Sequence, residues 1–227
     1  MKNIPILLLL IVFACSPQNE KSIEGVYMAE QDDVNQWWIL VDGYASKIYF
    51  KDDEYISSEG GTFTFDQNIL KIKTEFSDAD PTLIGGESSF ELKFSGNNFQ
   101  DENGLKWKKQ PPKSQQLDGL WKIAGRQNKD EFVKIDHSGS RKTIKLLKDG
   151  FFQWIAIEPE EKKFFGTGGG KYTFKNGIYT EEIYFFSRDN SRIGAKLNFE
   201  GEIIDGEWHH QGKSSKGDPI HEIWIKP

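Results

Sequence analysis

Cysteine is nearly absent: the one thiol, Cys15, lies close to the N-terminus, so no disulfide can staple the fold and no cysteine cluster can hold a metal. An excess of positive charge is also missing. Lys and Arg number 29 against 35 Asp and Glu, a formal charge of -6, which excludes the basic footprint of a nucleic-acid binder. The apolar run from Ile6 to Phe13 is shorter than the ~20 residues a helix needs to cross a bilayer, and no second such run follows. No serine, threonine or cysteine stands in a nucleophile motif. His209 and His210 are neighbours on a strand pattern and point to opposite faces, so they cannot chelate one ion together; no metal and no cofactor is called for. The glycine-rich stretch Gly166-Thr167-Gly168-Gly169-Gly170 precedes a strand pattern instead of a helix, lacks the helix dipole that cradles phosphate, and reads as a loop at a barrel mouth. What the chain has in quantity is aromatic residues, 14%, and 22 glycines, the composition of a β-rich protein with bulky interior side chains and many tight turns.

The N-terminal segment reads as an export signal: Lys2, the apolar run, then Ala14 just before Cys15. Val12-Phe13-Ala14-Cys15 resembles the lipobox of bacterial lipoproteins, in which the cysteine becomes the new N-terminus and carries acyl chains. That resemblance implies a signal peptide over 1–14, a lipidated tether over 15–21, and a protein held to a membrane of the cell envelope by its lipid. At ~0.8 kcal/mol per buried methylene, two or three chains anchor durably. Ser16 after Cys15 is compatible with sorting to the outer membrane.

Behind the tether the chain is written twice. Gly25-Val26-Tyr27 matches Gly119-Leu120-Trp121, Asp42-Gly43-Tyr44 matches Asp149-Gly150-Phe151, and Gly60-Gly61-Thr62-Phe63 matches Gly169-Gly170-Lys171-Tyr172. Ile84-Gly85 then matches Ile193-Gly194, Leu92-Lys93-Phe94-Ser95-Gly96 matches Leu197-Asn198-Phe199-Glu200-Gly201, and Trp107-Lys108-Lys109 matches Trp224-Ile225-Lys226. The order never breaks, which sets one unit at 22–110, a proline-stiffened linker at 111–116 and a second unit at 117–227. Within each unit apolar residues alternate with polar ones, as in Phe90, Leu92 and Phe94, and Asp-Gly or Asn-Gly turns separate the runs. Roughly eight or nine strands per unit predict an all-β protein of two tandem up-and-down antiparallel barrels.

Gly119-Leu120-Trp121 on the first strand of the second unit, with Trp224-Ile225-Lys226 on its last, is similar to the closing pattern of lipocalin-like barrels, where a basic residue of the final strand caps a Gly-x-Trp. Gly25-Val26-Tyr27 with Trp107-Lys108-Lys109 is a weaker version. Gly168-Gly169-Gly170-Lys171-Tyr172 followed by Tyr179-Thr180-Glu181 also looks like the lipocalin-like domains of uncharacterised exported bacterial proteins. The likeness implies two lipocalin-like barrels and leaves the ligand open.

One copy can be used to orient the other. Leu70, Ile72 and Phe76 alternate with charged residues, so their counterparts Tyr179, Glu181, Ile183 and Phe185 are expected inside the second barrel. On the same logic Glu222 faces inward where the first copy has Leu105, and Gln153 inward where it has Ser46. A ligand pocket for an apolar or glycan-like small molecule, lined by Gln153, Tyr172, Glu181, Glu222 and Trp224, is one reading. In another, both glutamates lie at a solvated rim and pair with Arg141, Arg192, Lys142 or His221. A third makes Glu181 and Glu222 the acid and base of a hydrolase or isomerase. A fourth makes the protein an accessory subunit contacting an envelope partner. The outward set Thr180, Glu182, Tyr184 and Phe186, with Trp154 and Phe152, is expected to dock the first barrel or such a partner.

Overall fold

The computed structural model describes residues 22–128, 131–214 and 216–227, so the leader and Cys15 lie outside the described residues. The first unit is a nine-stranded antiparallel sheet built from β1 (Gly25–Gln31), β2 (Val34–Val41), β3 (Tyr44–Phe50), β4 (Tyr55–Asp66), β5 (Ile69–Ser77), β6 (Glu87–Glu91), β7 (Lys93–Ser95), β8 (Asn98–Gln100) and β9 (Lys106–Lys109). Strands that follow one another in the chain pair, except β6 and β7, and β9 returns to β1. The sheet ends on β6 and β7, which are consecutive in the chain and parted at Leu92, so this barrel is nearly closed.

The second unit repeats the plan with β10 (Gly119–Asn128), β11 (Glu131–Lys134), β12 (Lys142–Lys148), β13 (Phe151–Glu158), β14 (Lys163–Lys175), β15 (Ile178–Phe186), β16 (Lys196–Ile204), β17 (Glu207–Lys213) and β18 (Pro219–Ile225). Here β10 pairs with β18 and the barrel is closed. Where the first copy turns tightly through Asp32-Asp33, both at positive φ, the second makes a longer excursion that adds β11.

Both barrels close with the same device. Trp121 donates its indole N–H to Leu117 O at 2.8 Å, and Lys226 Nζ lies 5.4 Å from the Trp121 ring while bonding Asp118 O at 3.3 Å. In the first copy Tyr27 donates to Ile23 O at 3.0 Å, and Lys109 Nζ sits 5.3 Å from its ring and 2.6 Å from Glu24 O. The expected pattern of a cation on the opening aromatic is thus present twice.

Ladder registers give the correspondence of the copies position by position. Gly25 faces Leu40 and Gly119 faces Leu147; Ile72 faces Phe63 and Glu181 faces Tyr172. Leu70 faces Phe90 and Tyr179 faces Phe199, which equates Phe199 with Phe90. The sequence match of Leu92-Lys93-Phe94 to Leu197-Asn198-Phe199 is therefore out of register, because an apolar alternation looks alike at any even shift. The glycine-rich stretch is also corrected: Gly166 to Gly170 lie within β14, paired with β13. Gly170 sits opposite a β-bulge in β15, and a Cβ there would stand 1.9 Å from Glu182 O; Gly61 repeats this geometry 1.9 Å from Lys73 O.

That bulge reverses the alternation. Upstream of it Tyr179, Glu181 and Ile183 point into the barrel; downstream Phe185 turns out to the neighbouring barrel and Phe186 turns in. Phe76 of the first copy turns out in the same way. The outward faces of β2 and β12 meet across the middle of the molecule, where Trp37, Ile39, Ile48 and Phe50 share one core with Ile144, Leu146, Ile155 and Phe185. Trp37 makes edge contacts with Phe151 at 5.2 Å and lies 5.7 Å from Tyr184. Lys142–Glu75 at 2.7 Å and Lys148–Glu24 at 3.0 Å flank this core. Phe151, Ile155 and Phe185 do the docking, together with Tyr184 of the expected set, whereas Phe152, Trp154 and Phe186 belong to the second barrel's interior.

Candidate functional site

The mouth of the second barrel lies where β10, β13, β15 and β17 end and β12, β14, β16 and β18 begin. It opens into a cleft of about 430 Å³, within the range of small-molecule sites. Arg126 at the end of β10, Arg141 just before β12 and Arg188 just after β15 ring the entrance. Arg141 lies 4.1 Å from the Phe165 ring, and Arg188 sits over Trp154 while its Nε donates to Phe165 O at 2.7 Å.

At the floor is a buried ion pair, Lys145 Nζ to Glu181 Oε1 at 3.0 Å, both residues about 5% exposed or less. Lys145 is also caged by rings, with Nζ 5.0 Å from Tyr179 and 5.1 Å from each of Trp208 and Trp224. Such a pair stays charged only where geometry and dipoles repay the desolvation, and the three ring faces supply part of that. Beside it His210, 2% exposed, approaches Glu222 Oε2 at 3.6 Å, longer than a hydrogen bond. Burial, and then the Lys145 ammonium, hold the His210 imidazole below the ordinary histidine range. Burial works to raise the Glu222 carboxyl, but His210 and the positive charge of Lys145 outweigh it and leave it below the usual range.

The structure thus brings Glu181, Glu222 and Trp224 together and leaves out the other expected lining residues. Gln153 is fully buried, but it shares the face of Phe151, Ile155 and Ile157 that meets the first barrel, and it donates to Thr167 Oγ1 at 3.0 Å. Both faces of β13 are apolar because one fills its own barrel and the other fills the interface, so alternation alone assigned the wrong one. Tyr172 is buried behind Tyr179 and turned toward the opposite end, where its hydroxyl donates to Asp118. The solvated-rim pairing is replaced as well: Glu181 pairs with Lys145, Lys142 with Glu75, and Arg192 with Asp189.

Sequence reasoning missed Lys145, and the register shows how it could have been found. Trp38 faces Lys47 across β2 and β3, and Lys145 faces Trp154 across β12 and β13. Counting back from the matched turns Asp42-Gly43 and Asp149-Gly150 places Lys145 on Trp38. The two copies have exchanged the members of one cross-strand pair. The first barrel therefore also holds an inward lysine, Lys47, with Nζ 5.6 Å from Trp38 and 5.4 Å from Trp107; its carboxylate across the ladder is Glu59, whose counterpart is Gly168. Burial lowers the Lys47 pKa, only partly offset by Glu59 and Asp101. Leu105 and Ile72, where the second copy has Glu222 and Glu181, thus belong to an interior that also carries charge, and the two barrels are polar inside but wired differently.

The wiring differs most at one tryptophan. Trp107 and Trp224 occupy equivalent positions, facing Phe99 and Trp208. Trp107 donates its indole N–H to Asp101 Oδ2 at 2.9 Å. At the place of Asp101 the second copy has His210, and the buried Trp224 Nε1 has no hydrogen-bond partner among the described residues, nor do Trp208 Nε1, the Tyr179 hydroxyl and the His210 nitrogens. Leaving such groups unpaired costs roughly 1–3 kcal/mol each. No protein-family model matches this sequence, and no curated protein matches it either.

Proposed function

We propose that the protein is a lipid-anchored component of the bacterial cell envelope, exported by its leader and acylated at Cys15, and that its second, lipocalin-like barrel holds a small molecule in the cleft above Lys145, Glu181 and Trp224. The observation that carries this reading is the asymmetry between the copies. In the first barrel the equivalent tryptophan is satisfied by Asp101, while in the second an open cleft lies beside buried donors that have no partner among the described residues. A ligand that accepts from those donors would recover what the apo fold forgoes.

Binding accounts for the two glutamates better than catalysis does. An acid–base pair needs one carboxyl kept neutral. Here Glu181 is engaged by an ammonium, and the environment of Glu222 favours its ionised form. The first barrel, packed against the second through a continuous core, acts as the rigid support.

Native mass spectrometry of the full chain released from its own host membranes tests the reading. A small-molecule adduct is expected on the wild type and absent from Ala156→Trp, which fills the cleft from its wall. Wild-type protein that carries no adduct, or an adduct retained by Ala156→Trp, would contradict it.

A further inference from the structure

We infer that the cleft selects an anionic ligand, one bearing a carboxylate, sulfate or phosphate that sits among the arginines at the mouth while its acceptor atoms reach the indole N–H of Trp224. The inference rests on the binding reading above and goes beyond it by naming the chemistry recognised.

Charge at the entrance is the first ground. Arg126, Arg141, Arg188 and Lys145 outnumber Glu181 and Glu222 around the cleft, although the chain as a whole carries a formal charge of -6. A positive opening in an acidic protein focuses anions toward it and repels cations from its surroundings. The anionic groups inside already have cations near them: Glu181 is bonded to Lys145, and Glu222 feels the charge of Lys145 and of Arg126, its partner across the β10–β18 ladder. Arg126 faces Glu222 across the ladder at more than ion-pair distance, and Arg141 forms no ion pair among the described residues, so the guanidinium forks can still take a bidentate acceptor.

Donor balance is the second and independent ground. Among the described residues, the unpartnered buried atoms around Lys145 favour donation: the indole N–H groups of Trp208 and Trp224 can only donate, whereas a neutral His210 has one nitrogen of each kind and the Tyr179 hydroxyl can do either. A ligand presenting oxygens can satisfy an indole N–H; one presenting only amine donors cannot. Trp154 and Phe186, packed at 5.5 Å, with Leu197 and Ile220, supply apolar wall between the mouth and the floor. The ligand is therefore acid at one end, apolar along its body and oxygen-bearing at the end that meets the floor.

Position within the duplication supports the same conclusion. Arg126 and Arg141 flank the excursion that the second copy has in place of the Asp32-Asp33 turn, so the cationic entrance is a feature of the barrel that has the cleft.

Two near-isosteric fluorescent probes separate the possibilities: 1-anilinonaphthalene-8-sulfonate, which is anionic, and N-phenyl-1-naphthylamine, which is neutral. The full chain should bind the sulfonate at least tenfold more tightly at low salt, with the preference shrinking as ionic strength rises. Arg126→Gln/Arg141→Gln should lose that preference, while Lys71→Gln/Lys73→Gln, which removes the same charge from the exposed face of β5 in the first barrel, should keep it. Equal affinity for the two probes, or a sulfonate preference untouched by the arginine substitutions, would overturn the anionic inference and leave the cleft reading standing. Binding of both probes that persists in Ala156→Trp would overturn the cleft reading itself.

Discussion

Lys145 and Glu181 cannot be treated one at a time. Each is buried at 3.0 Å from the other, so removing either partner leaves an uncompensated charge in a ring-lined interior, a loss of about 3–5 kcal/mol. Glu181→Ile, which copies Ile72 of the first barrel, should destabilise the protein by that amount in urea unfolding, and Lys145→Met/Glu181→Ile should regain most of it. A double variant no more stable than the single one would show that the two charges are not coupled. For the same reason a hydrophobic replacement of Glu181 alone confounds folding with binding. His210 gives a second residue-level test. Its folded pKa lies below the usual 6.5, so between those values the unfolded chain binds more protons and stability rises with pH. The contribution is complete above about pH 6.5 and is lost as pH falls, by at most ~1.4 kcal/mol per pH unit for one proton. Glu222, also depressed, acts in the same direction but below its usual 4.5. The melting temperature should therefore drop between pH 7 and pH 5.5, and His210→Gln should flatten the drop; parallel profiles would place the acid-sensitive group elsewhere.

At the level of elements, the turn chemistry and alternation of the sequence were enough to yield two antiparallel barrels, because Asp42-Gly43, Asp149-Gly150 and Asn176-Gly177 adopt the positive φ that tight hairpins need. The β-bulges were not legible. A period-2 count run straight through Ile183 and Phe185 puts both on one face, whereas the bulge opposite Gly170 sends Ile183 into the barrel and Phe185 to the interface. Gly170→Ala should cost about 1–3 kcal/mol, since its Cβ meets the Glu182 carbonyl and the ladder must open to admit it. A lower urea midpoint with an unchanged m-value is the expected outcome. An Ala variant as stable as the wild type would mean the bulge relaxes freely.

Taken whole, the molecule is two copies joined through reciprocal faces, and this is where the candidate site was half visible in the sequence. Comparing copies found Glu181, Glu222 and Trp224 because their counterparts Ile72 and Trp107 sit on strands with one charged face and Leu105 lies just before the second of these. It failed at Gln153 because a strand serving two cores is apolar on both faces, and at Lys145 because an exchange within the Trp38–Lys47 pair preserves composition while moving the charge. Trp37 stands at the centre of the shared core, touching Phe50 in its own barrel and Phe151 in the other. Trp37→Ala should cost about 3–5 kcal/mol and split one cooperative unfolding transition into two. A single transition with unchanged midpoint would show that the barrels do not depend on each other.

The indole N–H resonances report most directly on whether the second barrel is the binding one. The chain has 7 tryptophans, and Trp107 and Trp224 are equivalent in position but opposite in state, one bonded to Asp101 and one without a partner among the described residues. Titration with 1-anilinonaphthalene-8-sulfonate, followed by 15N-resolved NMR of the full chain, should shift the Trp224 indole N–H resonance as the probe's rings enter the cleft beside it and leave that of Trp107 in place. A Trp224 resonance that stays fixed at saturating probe, or one that moves no more than that of Trp107, would contradict the account.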